Sequence, residues 1–321
     1  MNKIYLKISV IVILVVIVQV LTGFLYYPKE LRSVMKPGNV ENGIVYFGDS
    51  TTYTFSVKDA DKRSIPACLQ RGLEEKVIPV THGSYHLGIY RDFIKYLAKH
   101  SQPKAIIIPI NMRSFSAEWD TRPEYQFKKE SLLLNLGLMW SPLYKPLSIY
   151  TDFFNDKLDK SGWLDSEVLD NGKVAGKIRD FEDIGTKNPS ASDMRKRIIF
   201  QYRYELASDH RKLLALHDIC EVAKKQRINI LFYITPVDLD YIDGVYSGTS
   251  ALVGKNVGTV KDVISSCGFS VVDLSHSIPS NYFDWKVNGF PNEHMNEKGR
   301  LFVAARLQSE LRKMKLSRLS L

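Results

Sequence analysis

Five short, almost wholly apolar runs recur along this chain and restrict its fold more than any other feature: Ile44 to Phe47, Val77 to Val80, Ala105 to Ile110, Ile228 to Ile234 and Ser270 to Leu274. Each has the length of a strand and is closed by a turn signal. A strand that is apolar at nearly every position is buried on both faces, which happens in parallel sheets covered by helices on either side. Helical patterns lie between the runs. One covers about Ile89 to His100 and another about Tyr204 to Lys225, where Leu213, Leu216, Cys220 and Ala223 recur at helical spacing. The expected class is α/β, with a parallel sheet sandwiched by helices.

A membrane segment is expected ahead of this domain. Ile8 to Tyr27 is an uncharged run of about twenty residues, the length that crosses the hydrocarbon core of a bilayer. Lys3 and Lys7 precede it and Lys29, Arg32 and Lys36 follow it, so flanking charge does not choose an orientation. Phe24-Leu25-Tyr26-Tyr27-Pro28 offers no small-residue cleavage pattern, so the run reads as an uncleaved signal anchor. Residues 1–27 are therefore expected to be an N-terminal transmembrane helix. Residues 28–43, with Pro28, Pro37, Gly38, Asn39 and Asn42, read as a juxtamembrane linker, and 44–321 as the α/β domain. Residues from about 116 to 200 break the strand-helix rhythm with Trp119, Tyr125, Phe127, Trp140 and Trp163 among charges. They read as an insertion over the carboxyl end of the sheet, where ligands of open α/β sheets bind.

The 321 residues, 45% hydrophobic and 25% charged, suffice for one large folded domain. A net charge of +9 asks for an anionic neighbour, and with no nucleic-acid module in the sequence the expected neighbours are anionic lipid or glycan. The basic residues Arg306, Arg312, Lys313, Lys315 and Arg318 read as a solvated helix face. Cys68, Cys220 and Cys267 have neither metal-ligand spacing nor an even count, and Cys220 falls among helical apolar positions as a small hydrophobe. His82 and His86 are spaced i, i+4 but lack an acidic partner nearby, so they read as loop or helix-start residues. No cofactor or metal is expected.

Side chains just after each strand of an open parallel sheet converge on one crevice. After the first strand comes Gly48-Asp49-Ser50, where Gly48 permits a tight turn, Asp49 braces it and Ser50 starts the next segment with its own N–H as an oxyanion donor. After the second comes Thr81 to Gly88, in which Gly83 or Gly88 can present another N–H. After the third comes Asn111, whose amide can donate a further hydrogen bond. His294, near the C-terminus, can take the proton of the Ser50 hydroxyl, as a base distant in sequence does in acyl transfer. Ser50 as a helix N-cap, Asn111 as a turn residue and His294 as a surface loop residue are the competing readings.

The order Gly48-Asp49-Ser50, loop glycine, Asn111, then His294 followed by Asn296 and Gly299, resembles the SGNH (GDSL-type) hydrolase superfamily over roughly residues 44 to 310, the insertion excluded. The resemblance implies a flavodoxin-like sheet, Ser50 as nucleophile, His294 as base, and an oxyanion site built from Ser50, Gly83 or Gly88, and Asn111. The third block lacks the glycine usually found two residues before the asparagine. The family's acid commonly stands three residues before the histidine, where this chain has Pro291, leaving Glu293 and Asp284 as alternative acids. The implied chemistry is serine-dependent ester hydrolysis or O-acyl transfer through an acyl-enzyme. Membrane-anchored proteins similar to this chain modify bacterial cell-envelope polysaccharides, some beside a multi-spanning O-acyltransferase. By that analogy the partners are an acylated glycan and such a transferase, and the domain faces outward from the cytoplasmic membrane. The rival is a protein of the same fold that binds glycan or an acyltransferase partner without catalysis, which Pro291 at the acid's place favours.

Overall fold

The computed structural model describes residues 3–25, 29–36, 38–55, 59–122, 125–136, 166–168, 174–176, 190–283 and 293–319, with side chains described outside 18–25, 29, 129, 136, 166–168, 174–176 and 315–319. In chain order the elements that matter are α1 (Lys3–Leu25), α2 (Lys29–Met35), β1 (Ile44–Gly48), α3 (Ser50–Tyr53), α4 (Ile65–Gln70), β2 (Val77–Thr81), α5 (Leu87–His100) and β3 (Ala105–Ile110). A 3-10 turn (Met112–Phe115) leads to α6 (Ala117–Thr121) and α7 (Lys128–Leu136), then the short strands β4 (Ser166–Val168) and β5 (Val174–Gly176). The chain continues through α8 (Ala191–Tyr202), α9 (Arg211–Gln226), β6 (Ile230–Ile234), α10 (Leu239–Val245), α11 (Thr249–Ser266), β7 (Val271–Asp273) and α12 (Glu297–Leu319).

The main sheet runs β2-β1-β3-β6-β7, and each of its pairings is parallel. Both faces are covered, which is why the strands are apolar throughout. Along β1 the side chains alternate between two cores. Val45 and Phe47 pack with α2, α5 and α9 residues such as Leu31, Phe93 and Leu216, while Ile44 and Tyr46 pack with Leu69 of α4 and Val303 and Leu307 of α12. All five expected strands are present with ends moved by at most two residues. The strand order reverses direction between β1 and β3, which makes their carboxyl ends the ligand crevice of such a sheet.

Pro109 helps open that crevice. The Ile106 N–H bonds across to Asn229, so even-numbered amides of β3 face the β6 side and residue 109 faces β1. Proline has no N–H to give there. The β1–β3 register accordingly stops at Tyr46 and Ile107, whereas the β3–β6 register continues to Ile110 and Ile234.

Several expectations are corrected. The segment 28–43 is more than a linker, because α2 within it buries Leu31, Val34 and Met35, an i, i+3, i+4 set, in the main core. The helix expected from Tyr204 begins instead at Arg211, capped by the His210 side chain, which accepts from the Lys212 N–H at 3.2 Å. Residues 203–206 are held in place by Asn256, which accepts from the Leu206 N–H at 3.0 Å and donates to the Tyr204 carbonyl at 2.7 Å. Among the described residues no helix is long and apolar enough to cross a membrane. The side chains described in α1 run only from 3 to 17, short of the roughly 20 residues a bilayer core requires. Much of the insertion, 137–165, 169–173 and 177–189, lies outside the described residues.

Candidate active site

The turn after β1 is built for a serine. Asp49 is the N-cap of the single-turn helix α3, its carboxylate accepting from the Thr51 N–H at 2.8 Å and the Thr51 hydroxyl at 2.6 Å. The Thr52 hydroxyl donates back to the Asp49 carbonyl at 2.7 Å. A Cβ on Gly48 would lie 2.9 Å from Thr52 Cγ2, so this close approach needs glycine. Ser50 is left at the first helical position, half-buried, with an N–H that has no acceptor inside the helix. The N-cap role considered for Ser50 belongs to Asp49.

His294 meets Ser50 across the chain, with Nε2 3.0 Å from Ser50 Oγ. Three devices fix the segment that carries it. Met295 forms an isolated antiparallel bridge with Phe283, and the Asn296 N–H donates to the Tyr282 carbonyl at 2.9 Å. Asn296 Oδ1 accepts from the Lys298 and Gly299 N–H groups at 3.1 and 3.3 Å, capping the start of α12. A Cβ on Gly299 would sit 2.8 Å from that of Met295, so the Asn-x-x-Gly spacing after His294 has a packing reason. Arg300, 1% exposed, then joins nucleophile and base: Nη1 donates to the Met295 carbonyl at 2.9 Å, to Asp59 Oδ2 at 2.9 Å and to the Thr54 carbonyl, at the end of α3, at 3.3 Å.

The other candidates divide. Asn111 crosses the crevice from β3, but its amide donates to Asp49 Oδ2 at 2.8 Å and its Oδ1 caps the next turn by accepting from the Arg113 N–H at 2.9 Å. The Gly88 N–H donates to His86 Nδ1 at 3.0 Å within the cap of α5 and is not directed at Ser50. Gly83 faces the crevice: a Cβ there would lie 3.4 Å from the Tyr53 hydroxyl, three residues after Ser50. Glu293 is 1% exposed and turned the other way from an acid serving His294, accepting from the Tyr202 hydroxyl at 2.8 Å, with Oε2 3.7 Å from Arg113 Nε. Asp284 and Pro291 lie outside the described residues.

A buried charged layer backs this arrangement. Burial pushes the Glu293 carboxyl above its ordinary range, against the pull of Arg113, Tyr202 and Asn111. Burial works to lower the Arg113 pKa, yet the Glu293 carboxylate and neighbouring acids hold it above the usual value. Glu118, on α6, takes a 3.0 Å hydrogen bond from Gln201 and a 3.2 Å ion pair from Arg122. Glu118 of the insertion is thus tied to α8 beside Tyr202, which bonds Glu293, and Phe127 packs edge-on to Tyr85, ring centroids 4.8 Å apart. His86 also donates from Nε2–H to the Tyr125 carbonyl at 2.7 Å, and burial, with Lys212 adding, pushes its pKa down to about 3. Arg113, Tyr202 and Arg300 escaped sequence reasoning. Arg113 stands two residues past Asn111 and Arg300 six past His294, but a lone charged residue carries no sign that it will be buried.

No family model matches the sequence, and no curated protein matches it. Solved structures with a similar course of chain include a lipase/acylhydrolase from Enterococcus faecalis, at 13% identity and a TM-score of 0.41, covering 85% of this chain and 96% of that one. An M. smegmatis aryl esterase in inhibitor-bound form follows at 11% and 0.41, covering 85% and 99%. A carbohydrate acetylesterase family member from Sinorhizobium meliloti gives 10% and 0.42, covering 85% and 98%. Those likenesses are of fold alone. The class is set by the molecule itself: an α/β protein with a serine and an imidazole in hydrogen-bond contact at the switch point of a parallel sheet. Such a pair can activate a hydroxyl for attack on a carbonyl.

Proposed function

We propose that this chain is a serine-dependent esterase or O-acyltransferase of the SGNH kind. The observation that carries the reading is the 3.0 Å contact between Ser50 Oγ and His294 Nε2, held where β1 meets β3. His294 takes the hydroxyl proton as Ser50 Oγ bonds to the ester carbonyl carbon, and the resulting imidazolium returns a proton to the departing alcohol, leaving an acyl-enzyme. Water as the second acceptor gives hydrolysis, and a sugar hydroxyl gives O-acyl transfer. Negative charge on the carbonyl oxygen falls to the Ser50 N–H and to a further donor beside Gly83.

The proposed substrate is an acylated or acyl-accepting glycan of the bacterial cell envelope, with a multi-spanning O-acyltransferase as a possible partner. Residues 8–27 anchor the chain in the cytoplasmic membrane and the domain faces outward. Support for the anchor comes from α1, whose apolar side chains stand open, from 45% at Val16 to 66% at Tyr5, with no domain surface covering them. Apolar surface of that extent is unfavourable in water at roughly 25 cal/mol per Å². The test is labelling by a fluorophosphonate probe together with hydrolysis of p-nitrophenyl acetate. Wild type is expected to react in both and Ser50→Ala in neither; identical behaviour of the two proteins refutes the enzyme reading and leaves the non-catalytic binding protein.

A further inference from the structure

The donors that stabilise an oxyanion must be free to turn toward it, and around Ser50 two of the expected ones are engaged. The Asn111 amide is given to Asp49 at 2.8 Å and also leans on the buried Glu293 carboxyl. The Gly88 N–H is given to the His86 ring at 3.0 Å. Gly83 stands against the phenol oxygen of Tyr53, which would lie 3.4 Å from a Cβ at that position. Tyr53 is the last residue of α3, and Ser50 is the first; residues three apart on one helical turn lie on the same face. Tyr53 is 37% exposed, so it stays in part open to solvent on the helical turn that carries Ser50.

From this geometry we infer that Tyr53 is an oxyanion donor of the active site, its O–H, with the Ser50 N–H, holding the carbonyl oxygen while Gly83 backs the phenol. The inference rests on the serine-esterase reading of the same site. The roles of Gly83 and Tyr53 are complementary. Gly83 then acts through Tyr53 instead of touching the substrate, and Asn111 is a brace for Asp49. No proton leaves Tyr53 during the reaction; the hydroxyl only strengthens its hydrogen bond as charge develops on the carbonyl oxygen.

Tyr53→Phe deletes the donor and keeps the ring. Hydrolysis of p-nitrophenyl acetate by the full-length chain should fall about 100-fold, in kcat and kcat/KM alike, because the contact exists only in the transition state. The thermal midpoint should stay at the wild-type value, which separates loss of a donor from loss of fold. Replacing Tyr53 by 3-fluorotyrosine, a more acidic phenol, should move the alkaline limb of the kcat profile to lower pH, since a phenolate cannot donate; a packing role would not move it. Wild type active, Ser50→Ala dead and Tyr53→Phe within twofold of wild type would overturn the inference and leave the esterase reading intact. Ser50→Ala as active as wild type would overturn both.

Discussion

Asp49 shows how much one side chain does at the crevice. It is 2% exposed, and its two oxygens take the Thr51 N–H, the Thr51 hydroxyl and the Asn111 amide. Asp49→Asn would set one amide against another at Asn111 or at Thr51. Leaving a buried donor unpaired costs about 1–3 kcal/mol, so the urea midpoint should fall, and p-nitrophenyl acetate hydrolysis with it, because β1 and β3 lose their tie. A midpoint equal to wild type would mean that the carboxylate does not brace the turn. Ser50 and His294 form the other residue-scale unit. Each alanine variant alone should remove nearly all of kcat, and the double variant should be no worse than Ser50→Ala, as happens when groups act as one device. Additive losses would show that they act separately. Both residues were legible because each follows a marked local pattern, an apolar strand into Gly-Asp-Ser and a histidine before Asn-x-x-Gly. The fate of Asn111 was not legible, since the same amide can face a ligand or a carboxylate, and only the 2.8 Å contact with Asp49 decides between them.

At the scale of elements, the loop between β2 and α5 carries a pH sensor that the function does not use. His86 caps α5 through Nδ1 and reaches the Tyr125 carbonyl through Nε2, and its pKa is pushed to about 3 from an ordinary 6.5, by burial and then by Lys212. Between those values the unfolded chain binds a proton that the folded one refuses. Stability from the neutral ring is therefore complete above pH 6.5 and is lost as pH falls toward 3, by on the order of 4 kcal/mol at the lower end. Urea midpoints of wild type should show this acid slope, and His86→Asn, which keeps an N-cap acceptor but cannot titrate, should flatten it. An unchanged slope would place the acid sensitivity elsewhere. The elements themselves were legible to different degrees. Strands buried on two faces announce themselves by apolar runs, so all five were found. The start of α9 was misread because Tyr204 and Leu206 are buried in a segment fixed by Asn256, fifty positions later, a partner that helical periodicity cannot register.

Over the whole molecule, the folded domain begins earlier than proline and asparagine punctuation indicated. Leu31, Val34, Met35 and Val40 are at most 5% exposed and belong to the same core as Phe47 and Phe93, so α2 closes one face of the sheet. Emptying a buried leucine or methionine position costs about 2–5 kcal/mol, and losing several together rivals the roughly 5–15 kcal/mol that stabilises a typical domain. Two truncations therefore part company. A chain of residues 28–321 should leave the membrane fraction, melt as one cooperative unit and keep p-nitrophenyl acetate hydrolysis, because it sheds only the apolar helix that the domain does not cover. A chain of residues 44–321 should be largely unfolded or aggregated, since β2 and the core behind it would expose the surface that α2 buries. Fractionation and circular dichroism melts decide both points. If 28–321 still sediments with membranes, the anchor is not residues 8–27, and if 44–321 melts at the temperature of 28–321, α2 contributes nothing to the fold.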